Sequence, residues 1–319
     1  MRGDSGSRIR NPEYESLLDE YCQWMKSYHN TAAGTLKLRS KHLTRFLDWL
    51  DTDTYAHAHS PLKKLSSLSY DEIQTFFLDY CKERSYASRR LMQTALRTFF
   101  RFCMARGYLK QEFDNAVPSL RTYKLSKLPR GIEDKEAQRL LASINRSTNS
   151  GKRDYAIIQM LYTYGIRGGQ VRALRLTDID WEQSKILFRA HKNGKDCLLP
   201  LTEDVGNSLL DYLKNSRPEV PYQEVFITLR APQKPFYSSN ALSELIARHM
   251  SAADIKSPTF GAHAFRHCFA SRMLEDGHSL KFIADMIGHR CLQTTFIYTK
   301  VDFKNLKDVA LEWPEKDKG

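Results

Sequence analysis

Two arginines and a histidine stand in settings that suit the binding of an anion. His263 and Arg266 are three residues apart in GAHAFRHCFASRML, residues 261–274, which has the pattern of a helix start. Residues three apart in a helix lie on one side, so both side chains can face the same ligand. Arg167 follows Gly165 and Ile166 at the junction of two helical patterns. Two guanidiniums facing one phosphate would donate forked hydrogen bonds in a fixed geometry and would keep their charge.

A tyrosine near the end of the chain follows a Gly-His pair. Tyr298 comes nine residues after His289 in IGHRCLQTTFIYTKV, residues 287–301. A tyrosine hydroxyl has an ordinary pKa of about 10, so at neutral pH it becomes a nucleophile only beside a base or cations. Taken alone, a tyrosine in this place is more often a packing or interface residue. Its role therefore depends on which residues the fold brings to it.

Two lysines flank Asn193-Gly194, the strongest short hairpin signal in the chain. Lys192 and Lys195 stand in HKNGKD, residues 191–196, between apolar stretches that predict strands at 186–189 and 197–199. A lysine at a hairpin tip can reach over a ligand, although a lone one is normally solvated.

A metal site is not indicated by the sequence. His263 and His267 are four residues apart, but the helical zinc motif needs Glu directly after the first His, and this chain has Ala264 there. No two cysteines form a CxxC pair, and this spacing favours reduced, packed thiols. The cysteines stand at positions 22, 81, 103, 197, 268 and 291. No phosphate-binding glycine loop of the GxxxxGK[ST] type occurs either. We therefore expect no cofactor and no metal.

The first part of the chain has the pattern of a helical domain. Apolar residues recur at three- and four-residue intervals over 17–28, 43–50 and 91–103, and Ser69 with Glu72 predicts a capping box. The basic residues lie largely off these apolar faces, which predicts either a solvated face or a surface that follows phosphates. They are Lys37, Arg39, Lys41, Arg45, Arg84, Arg89, Arg90, Arg97 and Arg101.

The second part mixes helices with short strands. Its patterns predict helices over 133–145, 153–164, 202–215, 238–251, 263–275 and 279–287, around the strands at 186–189 and 197–199. A basic segment with Pro129 and Gly131 separates the two parts and predicts a linker. The fold class that follows is mainly α with a small β-sheet.

Charge and composition bear on the partner and the compartment. The chain of 319 residues has a net charge of +12 and a hydrophobic content of 41%, which together are typical of a two-domain globular protein that binds a polyanion. The N-terminus has no apolar segment of the kind that a secretory signal needs, and no long apolar run suggests a membrane span. We expect a cytoplasmic protein.

In order and spacing, these motifs resemble the catalytic domain of the tyrosine recombinases, the phage-integrase family. The family's motifs correspond to Gly165-Ile166-Arg167, Lys192 in the hairpin, the box from His263 to Arg266, Ile287-Gly288-His289 and Tyr298. The resemblance covers about 130–301. It implies an N-terminal helical core-binding domain over 1–120, a basic linker over 121–132, an α+β catalytic domain over 133–301 and a tail over 302–319.

The resemblance also implies roles for these residues. The expected activity is that of a site-specific DNA recombinase or integrase working through a 3′-phosphotyrosyl intermediate. Tyr298 would be the nucleophile and His263 its base, and Lys192 the general acid, with Lys195 as the alternative if the hairpin register shifts. The phosphate would be held by Arg167, Arg266 and His289.

The partners implied are double-stranded recombination sites and further copies of the chain, four of them on two duplexes, in a nucleoid-associated protein. The apolar stripe of the tail could close its own domain or dock onto a neighbouring copy. Two other functions fit the motifs: a type IB topoisomerase, which has a similar set of residues, and a DNA-binding regulator without catalysis. Neither the target sequence nor the biological role, whether integration, excision, resolution, inversion or transposition, follows from the sequence.

One departure from the family concerns the support of the first arginine. Gln170 stands where many members carry an acidic residue, and Gly168-Gly169 make the turn more pliant than usual. We therefore expect Arg167 to be held less firmly than in those members.

Overall fold

The computed structural model describes residues 11–52, 61–120, 131–190, 196–257, 259 and 261–287. The chain divides into two compact units, Met1–Tyr123 and Lys124–Gly319. No helix within these described ranges is both long and apolar enough to span a membrane.

All regular secondary structure in the described part of the first unit is helical. Its helices are α1 (Pro12–His29), α2 (Ala33–Thr52), α3 (Pro61–Ser66), α4 (Tyr70–Lys82) and α5 (Tyr86–Ala105). The predicted capping box is confirmed, because the backbone N–H of Ser69 donates to Glu72 Oε2 at 2.7 Å and the Ser69 hydroxyl accepts from the N–H of Glu72. Gly107, just beyond α5, has a positive φ of 77°, as a helix stop requires.

The core of the first unit is rich in aromatic rings. Phe46 of α2 packs edge-on against Phe76 of α4 and Phe100 of α5, with ring centroids 5.0 and 5.7 Å apart. Tyr28 closes the apolar repeat that was predicted over 17–28, and its placement on the buried face was wrong, since this residue is 75% exposed. It lies on the last turn of α1, and its ring contacts Trp24 one turn earlier.

Some of the basic residues of this unit have partners within it. Arg97 donates to the carbonyl of Val117 at 2.8 Å, and Arg101 Nε donates to Asp114 at 2.6 Å. Others, such as Lys37 and Arg90, are exposed on α2 and α5. The basic surface is therefore smaller than the count of arginines and lysines on these helices implies.

The second unit combines helices with one small sheet. Its elements are α6 (Asp134–Ser143), α7 (Asn149–Tyr164), α8 (Gly168–Ala173), a 3₁₀ turn (Leu176–Asp178), β1 (Ile179–Asp180), β2 (Lys185–Phe188), β3 (Cys197–Pro200), α9 (Glu203–Asn215), α10 (Ser239–Ala252), α11 (Ala262–Glu275) and α12 (Leu280–Met286). The three strands are antiparallel in the order β1-β2-β3, and Phe188 pairs with Cys197. The predicted fold class, mainly α with a small sheet, is confirmed.

Helix α7 is the centre of this unit. It packs against α9 and α11, and an unbroken run of its residues from Ala156 to Leu161 is buried. A helix that is buried on all sides belongs inside a protein, and each large aliphatic side chain on it gains about 1.5–3 kcal/mol on leaving water. The ends of such a central helix are fixed in space, and the first predicted arginine follows its C-terminus.

Most of the predicted linker lies outside the described residues, but its end does not. A Cβ on Gly131 would come within 2.6 Å of His267 Cβ and 2.8 Å of the carbonyl oxygen of Ala264. Only a glycine allows the chain to run this close to the backbone of α11. The chain at Gly131, near the end of the predicted linker, is thus packed directly against α11, the helix that carries His263 and Arg266.

Candidate functional site

The turn before Arg167 is built on a glycine for two reasons. Gly165 ends α7 in the left-handed conformation, with φ 58°, and its N–H donates to the carbonyl of Leu161 at 3.0 Å. A Cβ at this position would also lie 2.6–2.8 Å from the ring and Cβ of Phe269. Arg167 follows in extended conformation and is half-buried.

The backbone of Arg167 is held by the residue three positions later. Its N–H donates to Oε1 of Gln170 at 3.1 Å, while its carbonyl accepts from the N–H of Gln170 at 2.8 Å. Gly168 serves close packing, since a Cβ there would lie 3.0 Å from Leu242 and 3.1 Å from Ala262. Gln170 and Gly168, which predicted a loosely held arginine, therefore have the opposite effect. Gln170 anchors the backbone of Arg167, and Gly168 allows close packing of the turn.

His263 and Arg266 lie one helical turn apart at the start of α11. Gly261 caps this helix with a φ of 74°, and His263 in the first turn is exposed. Arg266 is buried, with only 4% of its surface exposed. The shared helix side that the spacing predicts thus runs from solvent at His263 to the interior at Arg266.

Arg266 joins separate motifs through its guanidinium. Nη1 donates to the carbonyl of Gly165 at 3.0 Å, and Nη2 donates to the carbonyl of Ile287 at 2.5 Å. Because Arg167 is two residues beyond Gly165, its Cα lies within about 7.6 Å of the Gly165 Cα. Ile287 directly precedes Gly288. The structure therefore brings Arg167, His263 and Arg266 into one region and places Ile287, the first residue of the Ile287-Gly288-His289 motif, beside it.

Four of the predicted residues lie outside the described part of the chain. They are Lys192, Lys195, His289 and Tyr298. The stem of the hairpin is described: β2 and β3 pair, and the N–H of Ala190 donates to Asp196 at 2.6 Å. The roles given to these four residues stay predictions.

Within the described ranges, no group of three or more His, Cys, Asp or Glu side chains is placed to hold a metal ion.

Burial, followed by the charges of His263 and Arg266, lowers the pKa of His267 to about 4. Burial likewise raises the pKa of the Cys268 thiol to about 12, so this cysteine is a packed and unreactive thiol, as predicted.

The sequence interpretation missed an ion pair that supports this region. Asp178, whose side chain is 1% exposed, accepts from Nε and Nη2 of Arg189 at 2.9 and 2.6 Å, and its other oxygen accepts from the N–H of Arg175 at 3.0 Å. An acidic residue three positions after the first residue of a turn is a capping signal. That signal is present in the sequence at Arg175-x-x-Asp178. No local pattern shows, however, that Arg189 binds the same carboxylate.

Relatives of known name share this chain's sequence over most of its length. It is 38% identical over 250 residues to y4rA of Sinorhizobium fredii, named as an integrase/recombinase, and 27% identical over 295 residues to the tyrosine recombinase XerA of Pyrococcus furiosus. These alignments cover 78% and 92% of this chain. The chain spans 61% of the length of y4rA and 92% of XerA.

Solved structures with the same fold include recombinases bound to DNA. A crystal structure of XerH bound to a palindromic difH substrate superposes with a TM-score of 0.72 at 19% identity, covering 98% of this chain and 92% of that one. A lambda integrase dimer on a core site gives a TM-score of 0.65 at 18% identity, covering 96% and 99%. Residues 130–305, which hold every motif described above, match the profile of the Phage integrase family. The chain belongs to the phage integrase family, the tyrosine recombinases.

Proposed function

We propose that the chain is a site-specific DNA recombinase or integrase that cleaves and rejoins DNA through a 3′-phosphotyrosyl intermediate. One observation carries the proposal: buried Arg266 bonds both the turn before Arg167 and the residue before Gly288-His289. Motifs that are distant in the chain thus meet around one cation. The names of the relatives, the fold shared with DNA-bound recombinases and the net charge of +12 give further support.

In this proposal Arg167 and Arg266 hold the phosphate that is cut. Cleavage passes through a state with more negative charge on the non-bridging oxygens, so cationic donors fixed in advance stabilise that state more than the starting diester. A guanidinium suits this role because it keeps its charge and can donate forked hydrogen bonds to phosphate oxygens in a fixed geometry.

Tyr298 is the proposed nucleophile. Its Oη attacks phosphorus, the bond from phosphorus to the 5′ oxygen breaks, and His263 takes the phenolic proton. His289 adds a hydrogen bond to the phosphate. Because the phosphotyrosyl link conserves the energy of the broken bond, attack by a different 5′-hydroxyl reverses the step and joins a new strand.

The departing 5′ oxygen needs a proton, since an alkoxide is a poor leaving group in water. Lys192 is the proposed donor, with Lys195 as the alternative. In sequence both stand between the described strands β2 and β3. A lysine between two paired strands has a long side chain that can reach over a ligand, which supports this choice.

The partner proposed is double-stranded DNA carrying a recombination site, bound by 1–120 as core-binding domain and 133–301 as catalytic domain. Exchange between two duplexes requires two cleaved strands on each, which fits four copies of the chain. A DNA substrate also agrees with the predicted cytoplasmic, nucleoid-associated location. Self-association through the tail stays a prediction.

The test is covalent capture. DNA crosslinked to the chain in cells is recovered and sequenced, and a nicked duplex with the recovered sequence is incubated with pure protein. We expect an SDS-resistant complex, its loss in Tyr298→Phe, and its retention in Tyr237→Phe, which removes the hydroxyl of an exposed tyrosine of the same unit.

Other outcomes contradict specific parts of the proposal. A complex that persists in Tyr298→Phe rules out this nucleophile. Relaxation of supercoiled plasmid without joining of two sites would assign the chain as a topoisomerase. Tight binding of the recovered DNA with no covalent product would assign it as a regulator.

A further inference from the structure

Gln170 uses both ends of its side-chain amide. Its Oε1 accepts the N–H of Arg167 at 3.1 Å, and its Nε2 donates to the carbonyl of Arg189 at 3.4 Å. The side chain is buried, with 6% of the residue exposed. It therefore bridges the turn of Arg167 and the chain that leaves strand β2.

The partners themselves fix the orientation of the amide. A backbone N–H can only donate and a backbone carbonyl can only accept, so the oxygen must face Arg167 and the nitrogen must face Arg189. A carboxylate at this position could still accept from Arg167. It would, however, place an oxygen against the carbonyl of Arg189, where it has no proton to give.

Arg189 is the point at which the hairpin stem is fixed to the rest of the unit. Its guanidinium binds the buried carboxylate of Asp178 at 2.6 Å, and its carbonyl binds Gln170. The next residue, Ala190, closes the stem by donating to Asp196. Both the backbone and the side chain of one residue are thus held by the segment that follows Arg167.

We propose that Gln170 is a positioning residue that sets the hairpin of the proposed general acid relative to Arg167. It does so through an amide bridge that the acidic residue found at this position in many family members could not make. The inference rests on the proposed function, because it assigns Gln170 to the step in which the 5′ oxygen leaves. Gln170 itself touches no reacting atom.

Gln170→Glu separates the two halves of the bridge. The variant keeps an acceptor for the N–H of Arg167 and loses the donor to Arg189. Its defect should therefore lie in protonation of the leaving group. Displacing a catalytic group by about 1 Å can slow a reaction about 100-fold, so we expect cleavage to slow by about 10- to 100-fold.

A sulfur leaving group reveals which step is affected. In a duplex whose 5′ bridging oxygen is replaced by sulfur, the thiolate departs without a proton, since a thiol has a pKa of only about 8.5. We expect Gln170→Glu to cleave this duplex at about the wild-type rate, within about threefold. Gln170→Met, which loses both hydrogen bonds, should be slow on both duplexes.

Two further variants keep the test decisive. Arg189→Met removes the cation that binds the buried Asp178 carboxylate, so its cleavage rates are taken per folded molecule, and it should show the same rescue by sulfur. Gln159→Glu is the matched control, because Gln159 is also buried and its amide nitrogen donates to the Thr163 hydroxyl at 3.3 Å within the same helix, α7. It should cleave both duplexes at similar relative rates.

Failure of the inference is distinct from failure of the proposed function. If the wild-type chain forms no covalent complex on either duplex, the proposed function is wrong. If the wild-type chain cleaves and Gln170→Glu cleaves the oxygen duplex equally fast, the bridge has no role in positioning. If Gln170→Glu and Arg189→Met are equally slow on both duplexes, the defect lies with Arg167 or the fold, and the link to the hairpin is overturned.

Discussion

The guanidinium of Arg266 donates a hydrogen bond to the carbonyl of Gly165, a residue 101 positions earlier in the chain. Gly165 ends the central helix α7, and Arg167, two residues later, is the N-cap of α8. The same guanidinium reaches Ile287 at the end of α12. A buried cation thus holds together the C-termini of two helices, where backbone carbonyls without helical partners carry partial negative charge.

Gly165→Ala should destabilise the second unit. An alanine at φ 58° costs about 1–2 kcal/mol, and its Cβ would overlap the Phe269 side chain, so we expect a loss of at least about 2 kcal/mol in the free energy of unfolding. Urea denaturation measures the loss. Gly206→Ala, inside α9, is the control. The added Cβ would lie 3.7 Å from the Leu201 side chain, an ordinary contact, so the free energy of unfolding should stay the same or rise by about 0.5–1 kcal/mol. Equal effects of the two substitutions would contradict the account of this turn.

Arg266→Lys should impair covalent complex formation far more than a comparable change on the same helix. An ammonium lacks the planar, forked donors that bind the carbonyls of Gly165 and Ile287 and that would also bind a phosphate. We therefore expect the rate of covalent complex formation to fall about 100-fold or more. Arg272→Lys is the control, since the guanidinium of Arg272 likewise binds two acceptors, in its case the carboxylate of Asp134 and the carbonyl of Tyr162.

The control should lower stability slightly and leave the rate of complex formation per folded molecule unchanged. Single-turnover rates on the nicked duplex, together with urea midpoints, separate the two effects. An Arg272→Lys variant as slow as Arg266→Lys would show that α11 needs its arginines for folding alone.

Periodicity predicted the long helices because a buried helical face repeats every three to four residues wherever it occurs. The helix predicted over 153–164 is observed as Asn149–Tyr164, and the one over 202–215 as Glu203–Asn215. The elements that periodicity missed are α3, α8, the 3₁₀ turn and β1, which have six residues or fewer and so show no full repeat. Tyr28 was misplaced because a repeat does not tell where the neighbouring helix ends.

The order of the site residues could be predicted from motifs, but their supports could not. Gln170 was recognised only as a departure, because its second partner, Arg189, lies 19 positions later in the chain, directly after strand β2. Likewise, the pairing of Arg101 with Asp114 depends on a loop whose course no local pattern gives. Supports of this kind arise from tertiary contacts, and these are set by the whole fold.

His267 should make the second unit acid-labile. Burial, then the charges of His263 and Arg266, lower its pKa from 6.5 to about 4 in the folded chain. Between these values the unfolded chain binds a proton that the folded chain does not, so stability falls as the pH falls from 6.5 towards 4. With allowance for partial exposure, the loss attributable to His267 is about 1–2 kcal/mol.

Thermal or urea unfolding between pH 7 and 4.5 measures this loss. His267→Gln should flatten the pH dependence, whereas His278→Gln, which replaces an exposed histidine, should leave it as in the wild type. A His267→Gln variant with the wild-type slope would mean that other groups cause the acid lability.

Asp154→Asn should be among the most damaging polar substitutions in the second unit. The carboxylate is 2% exposed and accepts from Arg153 at 2.7 Å, Arg248 at 3.0 Å and Nε2 of His249 at 2.9 Å. Burial raises the pKa of Asp154, but the hydrogen bond from His249 and the charge of Arg153 outweigh burial, and the net pKa lies below the ordinary 3.8. The carboxylate therefore stabilises the fold at pH values above about 4, and this contribution disappears only as the pH falls through its lowered pKa.

An asparagine would leave the buried guanidinium of Arg153 without its counter-charge, and breaking a buried pair costs about 3–5 kcal/mol. Urea denaturation at pH 7, with unfolding followed by the hydrogen exchange of the α7 backbone amides, measures that loss. Asp211→Asn is the matched control: Asp211 binds Lys152 at 2.8 Å, but its side chain is 24% exposed, and pairs in contact with water contribute about 1 kcal/mol or less. Similar losses for the two variants would show that Asp154 acts only as a polar spacer, because then its charge adds nothing that an amide cannot supply.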